Sequence, residues 1–391
     1  MSDGRLKRYM ARYPTISDLR TKAKTRMPHV AWEYLDSATG DERAMAQNTA
    51  RMSEVLLIPR FMKGAFHPDL STTLFGRTYN APFGIAPVGG GGLMWPGVEH
   101  ILARSAARYG IPYCLSTVAT QTPETVGPLV GDMGWFQLYC PRVGEITSDL
   151  LLRAKDQGFT TLVVTADVPV GSRRERATRA GFGIPPRVTP YMVFDAMRKP
   201  RWTARTLRRG LPKCLTLAKY AGVNDMTGLS NFVRTRLGGN LSWDYLKELR
   251  DEWDGPLTLK GVLHPDDAEQ AISIGVDGIH VSNHGARQFD GVPAAIDALP
   301  VVARQVNGRA RILFDSGVRS GLDVIRALSL GAEMVLLGRA FIFGVAALGK
   351  YGGDHAIEIL LAEMKTDMSQ LGCASLKDIP APTDIGTGPR T

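Results

Sequence analysis

Between positions 282 and 291 the chain reads Ser-Asn-His-Gly-Ala-Arg-Gln-Phe-Asp-Gly. His284 offers an imidazole that can exchange a proton near neutral pH, Arg287 places a guanidinium three residues on, and two glycines leave the backbone free to turn. The apolar run before it, Gly278-Ile279-His280-Val281, reads as a short buried strand. His284 and Arg287 therefore fall just past a strand's C-terminal end, where parallel α/β proteins carry their chemistry.

Other short apolar runs end in the same way. They occupy 82–86, 112–116, 134–138, 161–165, 256–260, 278–282, 311–314 and 334–337, with helix-like stretches between them. Their ends carry Ala86-Pro87-Val88-Gly89-Gly90, Ser116, Gln137 with Tyr139, Thr165-Ala166-Asp167 followed by Arg173 and Arg174, Lys260, Ser282, Asp315-Ser316-Gly317-Val318-Arg319, and Gly338-Arg339. Singly, Asp167 could cap a helix and Lys260 could be solvated, but a stable barrel needs no polar group at nearly every strand end. The glycines at 89 and 90 would let backbone approach a flat ligand, and the last two strand ends are where such barrels commonly hold a phosphate.

Eight strand signals alternating with helices predict a (β/α)8 TIM barrel in a single domain spanning 1–391, with an open doubly wound sheet as the alternative. Two helices over 16–27 and 28–38, the second opening with Pro28, predict an N-terminal helical cap. The rhythm breaks once, after the fourth strand, where 187–240 forms a long insertion. Its first half holds Arg187, Arg198, Lys199, Arg201, Arg205, Arg208, Arg209 and Lys213 against one acid, Asp195, with Tyr191, Met192, Val193, Phe194, Met197, Trp202 and Leu207 interleaved. That composition suits a solvated basic loop or a mobile, membrane-facing segment whose aromatics enter the interface while its bases meet anionic lipid.

A formal charge of +9 favours anionic partners, but no nucleic-acid reading motif accompanies it. Four separated cysteines, at 114, 140, 214 and 373, form no CxxC pair, which argues against a zinc site or a disulfide framework and suits a reducing compartment. No apolar run reaches the roughly 18 residues needed to span a bilayer. The expected location is the cytoplasm, with peripheral contact on the inner face of the cell membrane.

Taken together, Tyr34, the Ser282–Gly291 stretch and Gly338-Arg339 make the chain resemble the FMN-dependent 2-hydroxy-acid oxidases and dehydrogenases, over nearly its whole length. The resemblance implies FMN lying over the Ala86, Pro87, Val88, Gly89 and Gly90 backbone, with Ser116, Gln137 and Thr165 at its polar edge, and Ser282 also in the cofactor site. Lys260 would stand near flavin N1, Asp315 with Gly317 at the ribityl chain, and Arg319, Gly338 and Arg339 at the phosphate. It further implies a small 2-hydroxy carboxylate held by Arg174 and Arg287, with Tyr34 and Tyr139 hydrogen-bonding it, His284 as base and Asp167 supporting the imidazolium. The acceptor would be a quinone, a cytochrome or oxygen, and the assembly a homo-oligomer, a tetramer in this family. A soluble oxidase, a mandelate-type dehydrogenase and an FMN-dependent isomerase stand as alternatives.

Two departures bear on substrate. Val118 stands where plant glycolate-oxidising members carry tryptophan, which opens the pocket and favours an L-lactate-type acid. Gly89 takes the place of an alanine found beneath the flavin in several oxidases. Ala38-Thr39-Gly40 also departs from the family's commoner Gly-Ala pair, and nothing explains that change.

Overall fold

The computed structural model describes residues 3–141, 144–183, 188–221 and 241–382. Eight parallel strands form its centre: β1 (Phe83–Ile85), β2 (Tyr113–Ser116), β3 (Gly134–Leu138), β4 (Thr161–Thr165), β5 (Leu257–Val262), β6 (Gly278–Val281), β7 (Arg311–Phe314) and β8 (Met334–Leu337). They close into a barrel because β8 pairs with β1, in the register Val335↔Phe83 and Leu337↔Ile85. The open sheet is thereby excluded.

Strands buried on both faces read as near-continuous apolar runs, and β2, β3, β4 and β6 are buried at every residue. Cys114, Trp135, Val163, Leu313, Met334 and Leu336 pack together as one inner cluster. An antiparallel ribbon, Thr72–Leu74 with Arg77–Tyr79, adds Leu74 and Tyr79 to that cluster. Tyr79 Oη accepts the Trp135 indole N–H at 3.0 Å, so the large aromatic is buried with its donor satisfied.

The N-terminal cap has four helices rather than two: α1 (Asp3–Arg12), α2 (Ile16–Arg26), α3 (His29–Asp36) and α4 (Arg43–Glu54). Thr15 and Asp18 start α2 with a capping box. Pro28 is the cap residue of α3 and not its first helical residue. The insertion also differs from a structureless loop, because it forms α5 (Pro190–Met197), α6 (Pro200–Arg209) and α7 (Leu215–Ala221). Arg187 and positions 222–240, which the sequence reading placed in the same segment, lie outside the described residues. Trp202 and Thr206, one helical turn apart, are the buried residues of α6, while its arginines cover the other faces.

After β8 come α8 (Arg339–Leu348) and α9 (Gly352–Leu371), which pack backbone to backbone. A Cβ at Gly352 would stand 1.9 Å from the Gly344 carbonyl oxygen, a contact no side-chain rotation relieves. Gly352→Ala is expected to destabilise the protein by about 3 kcal/mol, at the upper end for overpacking. Comparing urea midpoints of the two proteins checks this, and an unchanged midpoint would show that the helices separate at little cost.

Candidate functional site

The strand ends converge on a cleft enclosing about 970 Å³ out to and including its open mouth. On one wall Ser116 Oγ donates to Gln137 Oε1 at 2.7 Å, and Gln137 Nε2 donates to Thr165 Oγ1 at 2.9 Å. This chain crosses β2, β3 and β4 and fixes which way the Gln137 amide faces. Ala86, Pro87, Val88 and Gly89 form the adjoining wall. A Cβ on Gly89 would lie 2.6 Å from Val118 Cγ2, so glycine here admits a stiff β-branched side chain from the loop after β2.

Across the cleft, Lys260 Nζ donates to Ser282 Oγ at 2.9 Å and stands 3.2 Å from Asp315 Oδ2. Ser282 and Ser316 both donate to Asp315 Oδ1, at 2.5 and 2.8 Å. Burial alone would discharge Lys260, yet Asp315, Asp167 and Tyr139 more than offset it and raise its pKa. Burial likewise opposes ionisation of Asp315, but Lys260 and His280 hold its carboxyl well below the usual range. The pair is therefore a buried lysinium and carboxylate.

Asp167 belongs with His284. The register of β5 against β6 shifts between Lys260 and Val262, and Gly261 at the shift has φ +99°; a Cβ there would collide with the Asp167 carboxyl at 2.5 Å. In the space so left, Asp167 Oδ1 lies 2.8 Å from His284 Nδ1. Nδ1–H donates to the carboxylate, which leaves Nε2 as the basic nitrogen, 3.4 Å from Tyr139 Oη. Desolvation lowers the His284 pKa despite Asp167, so the imidazole is neutral at pH 7. Burial and Asp167 raise the Tyr139 phenol to about 12, and it remains a donor.

The backbone carrying His284 is strained. His284, Gly285 and Ala286 have φ of +57°, +61° and +61° in succession, and a non-glycine residue there costs of order 1–3 kcal/mol. Three side-chain oxygens hold the turn: Ser282 Oγ accepts from His284 N, Ser316 Oγ from Gly285 N and Asn283 Oδ1 from Ala286 N, at 3.0, 3.0 and 3.1 Å. Asn283 is itself locked by Asn48 of α4 through a reciprocal amide pair at 2.8 and 2.9 Å.

Arg174 and Arg287 lie over the Tyr34 ring, with guanidinium carbons 5.7 and 5.2 Å from its centroid. Tyr34 also packs at a tilt against Phe182, with ring centroids 4.5 Å apart, and donates to the Gly89 carbonyl at 3.2 Å. Arg287 donates to the carbonyls of Tyr34 and Ser37, both at 2.9 Å, and Arg174 Nε to Ser172 Oγ at 2.9 Å. Burial and the facing Arg174 pull Arg287 down to about 9, the mark of a cation lacking an anionic partner. Burial lowers Arg319 to about 10 in the same way. The Arg339 guanidinium donates to the carbonyls of Leu35, Ser37 and Gly285, while its backbone opens α8, whose first N–H groups lack intrahelical partners.

Among the described residues lining the cleft, Arg174, Lys260, Arg287, Arg319 and Arg339 face one acid, Asp315. Such a donor set fits a phosphorylated flavin and a second, carboxylate-bearing anion. Of the residues expected from sequence, Ser116, Asp167 and Ser282 stand behind the lining and act through their neighbours, whereas the others named for the site line it directly, Gly90 apart. Met94, Leu35 and Ser316 also line it without having been assigned a role, and Asn48 and Phe182 support it from further away. Ser316 lay within a quoted strand end, but Met94, Asn48 and Phe182 carry no local signal of site membership.

Residues 23–384 match the family described as FMN-dependent dehydrogenase. The chain is 40% identical to an L-lactate dehydrogenase of Ectopseudomonas mendocina (strain ymp) over 368 residues, 93% of this chain and 96% of that one. Among solved structures it is similar to the monotopic membrane protein (S)-mandelate dehydrogenase, with TM-score 0.89, 32% identity and coverage of 94% and 97%. It is also similar to a mandelate oxidase, with TM-score 0.80, 30% identity and coverage of 93% and 96%.

The Asn48 pair gives a direct test of how the turn is held. Asn48→Ala removes both amide bonds to Asn283 and takes the acceptor from the buried Ala295 N–H, which donates to Asn48 Oδ1 at 3.1 Å, at an expected cost of about 1–3 kcal/mol. Denaturant unfolding checks the loss, and unaltered stability would mean that the turn holds without α4.

Proposed function

Because this chain belongs to the FMN-dependent dehydrogenase family, we propose that it oxidises an (S)-2-hydroxy acid of L-lactate type to the 2-oxo acid and passes the electrons to a quinone or a cytochrome. The observation carrying this reading is the excess of cations lining the cleft over its single carboxylate, disposed around a neutral histidine. The lactate preference rests on the named relative and on Val118, which lines the cleft with a smaller side chain than the tryptophan of glycolate-oxidising members.

The Ala86 to Gly89 backbone and the Ser116, Gln137 and Thr165 chain would hold the flavin ring, Lys260 its N1 side, and Asp315 with Gly317 the ribityl chain. Arg319 and the start of α8 at Gly338 and Arg339 would hold the phosphate. FMN, when bound, supplies the two-electron acceptor. Arg174 and Arg287 bind the substrate carboxylate, with planar forks that suit bidentate contact. Tyr34 and Tyr139 orient the carboxylate and the hydroxyl. His284 Nε2 receives the proton, whether from the α-carbon or from the hydroxyl, and Asp167 stabilises the imidazolium that results.

Anaerobic mixing with a panel of 2-hydroxy acids tests the reading as a whole. Bleaching of the flavin by L-lactate and its recovery on adding a quinone are expected, and an unbleached flavin across the panel would overturn it. His284→Ala is expected to slow flavin reduction by about 10²–10⁴-fold with FMN still bound. The base works deprotonated and its pKa is lowered, so the acid limb of kcat/KM should fall below the ordinary histidine value of about 6.5. Asp167 raises that pKa, so Asp167→Asn should move the limb lower still while slowing the reaction. A limb that stays fixed in this variant would assign it to another group.

The insertion supports peripheral attachment to anionic membrane. Tyr191, Phe194, Met197 and Leu207 are more than half exposed, Leu207 at 80%, on α5 and α6, with Arg198 at the end of α5 and Arg201, Arg205, Arg208 and Arg209 on α6, and Leu211 is exposed just past it. No described helix is long and apolar enough to cross a membrane. Each base near a charged surface contributes about 1 kcal/mol, and salt screens it. The protein should sediment with anionic liposomes at low salt and be released at high salt, and Phe194→Ser with Leu207→Ser should weaken binding. If the parent protein stays in the supernatant at low salt, the segment faces another partner and the soluble-oxidase alternative gains.

A further inference from the structure

His280 is fully buried inside the barrel, on β6 and two residues before Ser282, so both side chains point inward. Neither of its ring nitrogens makes a formed hydrogen bond among the described residues. Packing alone favours an apolar residue at such a position, since a buried polar group without a partner is costly. Its Nε2 nevertheless lies 3.1 Å from Asp315 Oδ2, off the line of a formed hydrogen bond but close enough to share the carboxylate's charge.

Asp315 Oδ2 thus lies between two nitrogens, His280 Nε2 at 3.1 Å and Lys260 Nζ at 3.2 Å. Its other oxygen already accepts from Ser282 and Ser316. Lys260 pairs directly with His280 in the β5–β6 register, so the three side chains form one compact group on adjacent strands. The other charged groups near His280 are Lys260 itself and Asp167. Whatever part of the Oδ2 charge the imidazole N–H engages is not available to neutralise the ammonium.

We propose that His280 is a positioning residue for the redox site: by sharing Asp315 with Lys260, it leaves the Lys260 ammonium less neutralised and more available to the polar edge of bound FMN. A preorganised cation at that edge favours the negative charge that reduction brings. His280 therefore raises the midpoint potential of the bound cofactor without touching it. The inference rests on the placement of FMN beside Lys260, which FMN content and substrate bleaching of the parent protein test separately.

The experiment is a reductive titration of FMN-loaded parent, His280→Leu and His280→Gln proteins against reference dyes. Leucine removes the N–H at similar volume, whereas glutamine restores a donor toward Asp315. The leucine variant should show about a tenfold loss in the equilibrium constant for reduction, a fall of about 30 mV for two electrons, and the glutamine variant should stay near the parent. Equal potentials in parent and leucine proteins, or equal shifts in both variants, would overturn the proposal, the second by tracing the effect to packing. If the leucine variant does not fold, nitrogen NMR of histidine-labelled parent protein decides, with the His280 signal assigned by its loss in the glutamine variant. A proton on Nε2 supports the sharing of Asp315, and a neutral ring protonated on Nδ1 overturns it.

Discussion

Five cations sharing one cleft with a single carboxylate are the constraint on which the barrel mouth depends. Two like charges 4 Å apart at an effective dielectric of 20 repel by about 4 kcal/mol, so the groups must be kept apart and compensated without being cancelled. Helix α3 supplies much of that compensation. The carbonyls of Tyr34, Leu35 and Ser37 at its C-terminal end accept from Arg287 and Arg339, where the helix dipole favours positive charge. Carbonyls hold the guanidinium groups in place but leave their charge for a bound anion, which a nearby carboxylate would not.

Helix α3 can do this because it is anchored from the outside. Asp36 receives both Arg20 and Arg176, and Arg176 also reaches Glu33 and Glu42. The pairs are partly buried, and losing one member would leave the others with unmatched charge. The N-terminal cap is thus part of the site's electrostatics as well as its cover. The turn at 284–286 follows the same logic: its strain is held by Ser282, Asn283 and Ser316, and through Asn283 by α4 of the same cap.

How far the sequence revealed this follows from the range of each interaction. Strand-end residues such as Gln137, Thr165, Lys260 and Asp315 were legible because a two-residue period and a parallel barrel place them at one face. The pairing of Asp167 with His284 came only from family resemblance, and the geometry supplies its physical reason in the shift at Gly261. Asn48 was invisible, since its partner lies 235 positions away and nothing local distinguishes it from a solvated helical asparagine. Nothing local in the sequence announces that the Arg339 guanidinium, expected at the phosphate, also bonds carbonyls of the cap and of the 284–286 turn. Helical order in α6 is written in the sequence as Trp202 and Thr206 one turn apart with arginines on the other faces, but the density of charge in the segment points first to a solvated loop.

The position of Trp202 connects the surface to the pocket. Trp202 Nε1 donates to the Leu93 carbonyl at 3.1 Å, the Cys214 thiol lies 3.5 Å from the Val118 carbonyl, and Thr216 Oγ1 donates to the Gln121 carbonyl at 3.1 Å. All three acceptors belong to the loops after β1 and β2, which also present Met94 and Val118 to the cleft. Apolar burial alone would let α6 and α7 slide along the barrel, because non-directional contacts fix no register. Hydrogen bonds to particular carbonyls do fix it. Helix α6, which turns its arginines outward, and α7 beside it are therefore indexed to the residues that shape the cleft, and a displacement of one must be accommodated by the other.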